Sequence, residues 1–391
     1  MKKRTRIVHP TDVGMPPGNR ALVAPIYQSV KFTFDDVGET KRFWQGQREG
    51  FYYSRLSNPT LRQLELALSD LQEREGCLLT ASGIGAIAIP LLTLLKTGDH
   101  VAYCAEMYAP TRALIRRVLG RFGVTSTMLS IEDLDGLGRL FESRPTRLFV
   151  FESPTNPVLK VADLEQITAL AQRHGVLTLL DNTLAGLHNH GGYAIDVFVH
   201  SLTKYASGHG DAMGGAILAR RELIESMRAD AGILGAPLDP HAAFLIHRGL
   251  KSYFLRWDAQ CAAALRVATF LHDHRAVERV RYPGLAADPG HALAQRQMQG
   301  FGTIVAFDIK GGLECGTRFA EALELFALAA SLGSTESLVI APAMQQPADL
   351  TGEARGWSGI GPGTVRLSIG IEDVDDLCAD LDRALDLGTA S

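Results

Sequence analysis

Four short apolar runs, "HVAYCAE", "TRLFVFESP", "GVLTLLDNT" and "DVFVHSLTK", each stop in polar or turn residues. Helical stretches such as "DLEQITALAQRHG" fall between several of them. Strands that alternate with helices cannot pair as hairpins; they pair in parallel, because a parallel pair needs a crossover, and the crossovers cover both faces of the sheet. The expected fold class is therefore α/β, a mostly parallel sheet flanked by helices. Ligands of such sheets bind beyond the carboxyl ends of the strands. That is where "SPTNP", "DNT" and "SLTK" lie.

The rest of the chain divides around this pattern. Residues 1–55 are punctuated by Pro10, Pro16, Pro17 and Pro25 and show no period, which predicts an irregular N-terminal arm. From Pro59 onward, Leu61, Leu64, Leu68 and Leu71 recur at helix spacing. "CLLTASGIGAIAIPLLTLLKTGD" reads as strand, glycine turn, helix and glycine stop. Residues 236–275 read as largely helical, and "GTIVAFDI" and "TVRLSIGI" as strands. The last helix carries Val374, Leu377, Leu381 and Leu385, acids in its first turn and a glycine stop. This predicts an arm over 1–55, a large domain over 56–250 and a smaller C-terminal α+β domain over 251–391. No internal repeat or low-complexity segment occurs.

Composition excludes several classes. The 391 residues carry a net charge of −4, without the concentrated basic surface that nucleic acid requires. No apolar run approaches the roughly 20 residues of a membrane span. The basic start lacks a signal peptide's apolar core, so a cytoplasmic location is expected. Cys77, Cys104, Cys261, Cys315 and Cys378 are scattered and odd in number, which fits neither a disulfide framework nor zinc. His188, His190, His200 and His209 fit no ligand spacing, so no metal is expected.

The strand ends carry the chemistry. The turn "TASGIGAI" leaves free backbone N–H groups at a helix start, which suits a phosphate; a tight structural turn is the alternative. No P-loop pattern is present, and G-I-G lacks the third glycine of a dinucleotide site. Asp181 closes "GVLTLL" and is either a turn acid or a fixed negative charge for a cationic ring nitrogen. Lys204 closes a strand too. It is either a snorkelling surface lysine or an enclosed amine of lowered pKa, able to form a Schiff base with an aldehyde. Ser201 and Thr203 flank it as phosphate donors. Together, phosphate donors, a ring-nitrogen acid and an imine-forming lysine match the requirements of pyridoxal 5'-phosphate (PLP).

"HSLTKYASGHGD" resembles the lysine motif of the Cys/Met-metabolism PLP enzymes, the trans-sulfuration group of cystathionine γ-synthase, cystathionine β-lyase and methionine γ-lyase. The resemblance continues through "PIYQSVKFTF", "YYSRLSNPT", "ASGIGAI", "FESPTNP", "LLDNT", "HRGLK", "YPGL", "SLGSTESL" and "VRLSIGIEDVDDL". It implies the fold-type I architecture. It also implies that Lys204 holds PLP and shuttles protons, and that Asp181 pairs with the ring nitrogen. Tyr108 would stack on the ring and act as acid/base. Gly83 and Ile84, with Ser201 and Thr203, would cradle the phosphate. Tyr53 and Arg55 would reach the phosphate of a neighbouring subunit, so the arm completes a shared site in a homodimer, and the family is commonly tetrameric. Arg366 would clamp the α-carboxylate of an amino-acid substrate, with Ser331 and Asn156 orienting it.

Which bond breaks depends on the residues around the ring. Where cystathionine-processing relatives often carry arginine after "YSR", this chain has Leu56; where synthases and γ-lyases carry glutamate before "SLG", it has Ala330. Pro110 replaces the cysteine of methionine γ-lyases, and Y-x-P-T and "GDAMGG" are closer to cystathionine β-lyases. "YYSRLSNPT" and "SLGSTESL" are closer to methionine γ-lyases and homoserine sulfhydrylases. The first expectation is a carbon–sulfur lyase of the cystathionine β-lyase type, releasing thiol, ammonia and pyruvate. The second is γ-elimination or γ-replacement on a methionine- or O-acyl-homoserine-like substrate.

Overall fold

The computed structural model describes residues 1–9, 21–344 and 348–389. Seven strands form the larger sheet: β1 (Gly76–Thr80), β2 (His100–Cys104), β3 (Thr125–Leu129), β4 (Leu148–Glu152), β5 (Leu177–Asp181), β6 (Val197–Ser201) and β7 (Gly215–Ala219). Their order is β1-β7-β6-β5-β4-β2-β3, and β7 alone runs against its neighbours. The pleat explains why the central strands read as unbroken apolar runs. Phe149, Phe151, Leu180 and Phe198 enter the core on one face. Leu148, Val150, Leu179, Val197 and Val199 enter a second core on the other. With both faces buried, nearly every position must be apolar, and buried Thr178 and His200 are hydrogen-bonded instead.

The smaller sheet contains β8 (Val277–Arg281), β9 (Ile304–Ile309), β10 (Ala327–Leu328), β11 (Leu338–Ile340) and β12 (Thr364–Ser368), in the order β10-β11-β12-β9-β8. The helices Pro240–Leu250 and Tyr253–Asp273 fill the region read as helical. Asn58 caps the helix Pro59–Gln72 by accepting the Thr60 N–H at 2.9 Å, with proline in the first helical position.

Two expectations are corrected. The arm is not wholly irregular. Lys3–Val8 and Val37–Trp44 are helical, Ile7 enters the main core, and Arg6 and Lys3 pair with Asp70 and Glu73 at 2.7 and 2.8 Å. Pro10, Pro16 and Pro17 lie outside the described residues. Nor does the last helix stop at its glycine: Val374–Thr389 continues through Gly388, which is there for close packing on Phe319. Among the described residues no helix is long and apolar enough to cross a membrane.

Candidate active site

The carboxyl ends of β4, β5 and β6 open into a cleft of about 980 Å³. Ten of the twelve residues singled out from sequence line it: Gly83, Ile84, Tyr108, Asn156, Asp181, Ser201, Thr203, Lys204, Ser331 and Arg366. Parallel pairing sets Glu152 beside Asp181. The turn after β6 is fixed by the backbone, Leu202 N–H donating to the Gly214 carbonyl at 2.9 Å and Gly214 N–H to Thr203 Oγ1 at 3.1 Å.

One wall is shaped for a phosphate. The helix Gly83–Leu94 starts so close to β6 that a Cβ on Gly83 would lie 2.7 Å from Ser201 Cβ and 2.8 Å from its Oγ. Ser82 caps the helix through the Gly85 N–H at 3.2 Å. The N–H groups of Gly83 and Ile84 have no acceptor within the helix. Glycine is thus required by the approach of Ser201, which brings a hydroxyl to a positive helix end.

Across the floor, Asp181 Oδ1 accepts both the N–H and the hydroxyl of Thr183, at 3.1 and 2.6 Å. Oδ2 takes no hydrogen bond among the described residues. Burial raises the carboxyl's pKa, while Thr183 and the Lys204 charge oppose that shift. A half-buried carboxylate with one oxygen left for the cleft fits a cationic ring nitrogen. Burial, reinforced by Arg366, lowers Lys204 to about 8 against the pull of Asp181.

Another side of the cleft comes from the smaller sheet. Arg366, on β12 and 5% exposed, donates to Asn156 Oδ1 at 3.0 Å and to the Ser331 carbonyl at 2.5 Å; its Nε is buried without a partner among the described residues. Burial lowers its pKa to about 10, so it stays charged at neutral pH. Ser331, at φ 96°, also accepts Lys204 Nζ through its hydroxyl at 2.6 Å. A non-glycine residue at that φ is strained and must be held by its surroundings.

Tyr108 is 47% exposed at the cleft mouth, its N–H donating to Glu152 Oε2 at 3.0 Å. Tyr53 and Arg55 are not brought into this cleft. Tyr53 bridges Lys31, and the Arg55 guanidinium lies over the Tyr53 ring at 5.5 Å and donates to the Gly232 carbonyl. Leu56 sits with them against Gly232, whereas Ala330 and Pro110 line the cleft.

Sequence reasoning missed Glu152, Thr183, Arg112 and Asp349, which all line the cleft. Glu152 had a signal, since it closes an apolar strand as Asp181 does. Its pKa is pushed well up by burial and by Asp181. The Arg112–Asp349 pair had none. His188, His190 and His200 belong to a buried network, bonded to Tyr253 OH (2.8 Å), Asn182 Oδ1 (2.6 Å) and Gln72 Oε1 (2.6 Å). His209 is exposed.

A family model described as "Cys/Met metabolism PLP-dependent enzyme" matches residues 4–386. An L-methionine gamma-lyase of Pseudomonas putida is 41% identical over 389 residues, 97% of this chain and 96% of its own. Cystathionine gamma synthase of Xanthomonas oryzae pv. oryzae, solved in complex with cystathionine, superposes with a TM-score of 0.92 at 34% identity, covering 99% of this chain and 98% of that one. A candidate O-acetylhomoserine (thiol)-lyase of Campylobacter jejuni, whose structure contains a pyridoxyl-lysine 5'-monophosphate, superposes with a TM-score of 0.91 at 32% identity, covering 99% of this chain and all of that one.

Proposed function

Because this chain belongs to the Cys/Met metabolism family of PLP-dependent enzymes, we propose that it is a carbon–sulfur lyase whose cleft takes a sulfur amino acid with an apolar far end. One observation carries the reading: Lys204, Asp181, the Gly83 cradle and Arg366 line a single cleft.

The residues present fit the cofactor. Lys204 would hold its aldehyde carbon, Asp181 its ring nitrogen, and Gly83, Ile84, Ser201 and Thr203 its phosphate, with Tyr108 over the ring. When bound, PLP supplies an electron sink for the bonding pair left at the substrate α-carbon. Everything else falls to the chain. Arg366 takes the α-carboxylate through a charge-assisted fork, steadied by Asn156 and Ser331. Once free, the Lys204 amine, with a pKa near 8, is suited to carry protons near neutrality. Tyr108 is the second proton-carrying group, at the side where a leaving group departs.

The wall beyond Tyr108 selects the substrate. Pro110, Met213, Ala330, Ile340 and Leu350 give the cleft apolar lining. Apart from Arg366, the guanidinium lining the cleft among the described residues is Arg112, which spends its donors on Asp349 and on the carbonyls of Ala105 and Met107. A distal carboxylate finds no free fork there; a thioether methyl finds apolar surface. With the L-methionine gamma-lyase relative, this favours γ-elimination, in which methionine and water give methanethiol, ammonia and 2-oxobutanoate. Pro110 is the observation that favours a second reading, β-elimination giving pyruvate. Incubating holoenzyme with methionine, homocysteine, cystathionine and O-acyl-homoserines and identifying the keto acid tests both. 2-Oxobutanoate supports the first, pyruvate the second, and a new thioether indicates γ-replacement. Turnover of none of them overturns the proposal.

The arm supports an assembly. That Tyr53 and Arg55 lie outside their own chain's cleft supports the reading in which this pair serves a neighbour's phosphate in a homodimer, paired further into a tetramer. In this division 1–55 is the arm, 56–250 binds the cofactor and 251–391 supplies Arg366. Five free thiols suit a reducing compartment, the cytoplasm.

A further inference from the structure

The helix that Tyr108 caps is irregular: Ala109–Ala113 is α-helical, Leu114–Val118 is π-helical and Leu119–Phe122 is a 3-10 turn. Within it, Arg112 is 4% exposed and makes contacts in two directions. Nη1 donates back to the carbonyls of Ala105, at 2.9 Å, and Met107, the residues that lead into Tyr108. Nε and Nη2 point to Asp349, making a two-point fork at 2.8 and 2.6 Å. Arg116, one turn on, adds contacts to the Asp349 carboxylate and carbonyl, each at 3.2 Å.

Asp349 begins the segment 348–360, which runs to β12 and Arg366 and lines the cleft with Asp349, Leu350, Ser358 and Ile360. Two more cations hold that segment by its backbone: Lys160 Nζ on the Trp357 carbonyl at 2.9 Å, and Arg281 on the Gly359 carbonyl at 3.1 Å. The Asp349 end depends on side-chain charge. Arg112 holds the Asp349 carboxyl below its ordinary pKa, which keeps the fork charged at neutral pH.

We propose that the Arg112–Asp349 ion pair is a latch that fixes residues 348–360 against the segment carrying Tyr108, and so sets how tightly an amino-acid substrate is enclosed. Arg112 and Asp349 are positioning residues; they act through the walls they join. The inference rests on this cleft being the amino-acid site. A two-point charge-assisted contact is directional enough to hold one geometry where a single hydrogen bond leaves a hinge.

The test uses holoenzyme with Asp349→Asn, which keeps shape and removes charge, and Arg112→Lys, which keeps charge and removes the fork. Amide hydrogen exchange across 348–360 should quicken at least about tenfold in both, with β4, β5 and β6 unchanged. KM for the amino acid should rise about tenfold with kcat within about threefold, since enclosure acts chiefly on binding. Asp349→Glu should recover part of both effects. Unchanged exchange in Asp349→Asn overturns the latch, as does quickening spread over the whole chain or quickening with KM unmoved. Arg112 is buried, so if Arg112→Lys fails to fold, the partly exposed Asp349 variants decide alone. Exchange needs no turnover, so a local effect in a protein that releases no keto acid upholds the ion pair's hold on 348–360 and sinks the reaction proposed above, and with it the enclosure of an amino-acid substrate.

Discussion

The Nζ of Lys204 lies 2.6 Å from the hydroxyl of Ser331, and the carbonyl of that same serine accepts Arg366 at 2.5 Å. One strained residue thus sets the spacing between the amine proposed to hold the cofactor and the guanidinium proposed to hold the substrate. The amine cannot be replaced by anything else nearby. Lys204→Ala should cut turnover by about 10³-fold or more, the upper range for losing a proton-transfer group, and more if covalent holding also counts. Borohydride treatment of the yellow wild-type protein should leave the cofactor's mass on the peptide containing Lys204. A label on any other lysine contradicts the assignment.

Lys204 also fixes a pH dependence. Its folded pKa is lowered to about 8 by burial and Arg366, whereas an unfolded lysine titrates near 10.4. Between those values the unfolded chain binds more protons, so this group adds stability to the cofactor-free protein as pH rises through the window and removes it as pH falls toward 8. Only the free amine attacks an aldehyde. Cofactor uptake by apoprotein should therefore quicken about tenfold per pH unit below 8 and level off above it, a profile absorbance stopped-flow can measure. A rate still climbing steeply at pH 10 would mean an ordinary, solvated lysine.

Arg366→Ala removes a buried cation and leaves Asn156 Oδ1 without its donor. Losing a charge-assisted contact to the α-carboxylate costs about 2–3 kcal/mol, which predicts a KM roughly 30- to 150-fold higher. Cofactor retention should be largely unchanged, because the proposed role of Arg366 is to hold the substrate carboxylate. Amino-acid titration of the visible band measures it, and wild-type affinity in the variant removes the proposed role.

What was legible in the sequence was whatever is local. Asp181 and Lys204 each close an apolar run, so strand and site residue are read together. The polar edge strand β3, with Thr125 and Ser126 exposed, has no apolar run to announce it. β7 is a short run that follows glycine turns and leads almost at once into the helix Arg221–Leu234. The Arg112–Asp349 fork joins residues far apart in the chain, and no spacing rule predicts such a partner. The helix Lys3–Val8 is too short to show a period; its order comes from Ile7 in the core and ion pairs to a distant helix.

Gly83 tests the cradle sterically. A Cβ there would lie 2.7 Å from Ser201 Cβ and 3.1 Å from its Cα, so Gly83→Ala must push the helix start away from β6. Cofactor affinity should fall about tenfold or more and the melting temperature should drop, as for an overpacked site. Adding Ser201→Gly removes the two nearest atoms, Cβ and Oγ, and leaves only Cα at 3.1 Å. Stability should then recover while affinity stays weak, because the hydroxyl is gone. Measured by equilibrium dialysis and thermal melts, wild-type affinity in Gly83→Ala would sink the cradle.

Gly388→Ala sets local preference against packing. Glycine is up to about 1 kcal/mol worse than alanine in a helix interior, so even at the penultimate position of its helix propensity alone predicts a protein no less stable. The backbone of Val374–Thr389, however, passes so near the helix Gly312–Ala322 that a Cβ on Gly388 would stand 2.9 Å from Phe319 Cβ and 3.0 Å from its Cα and N. Two of those atoms are backbone and cannot rotate away, and the Phe319 ring is fully buried against Phe307. The helices must separate, loosening a packed core, at a cost of about 1–3 kcal/mol that outweighs the propensity gain. The variant should unfold at lower denaturant with an unchanged slope, because the site lies elsewhere and the fold is kept. A midpoint shifted upward would mean that the glycine is a dispensable helix end, as the sequence pattern alone implies.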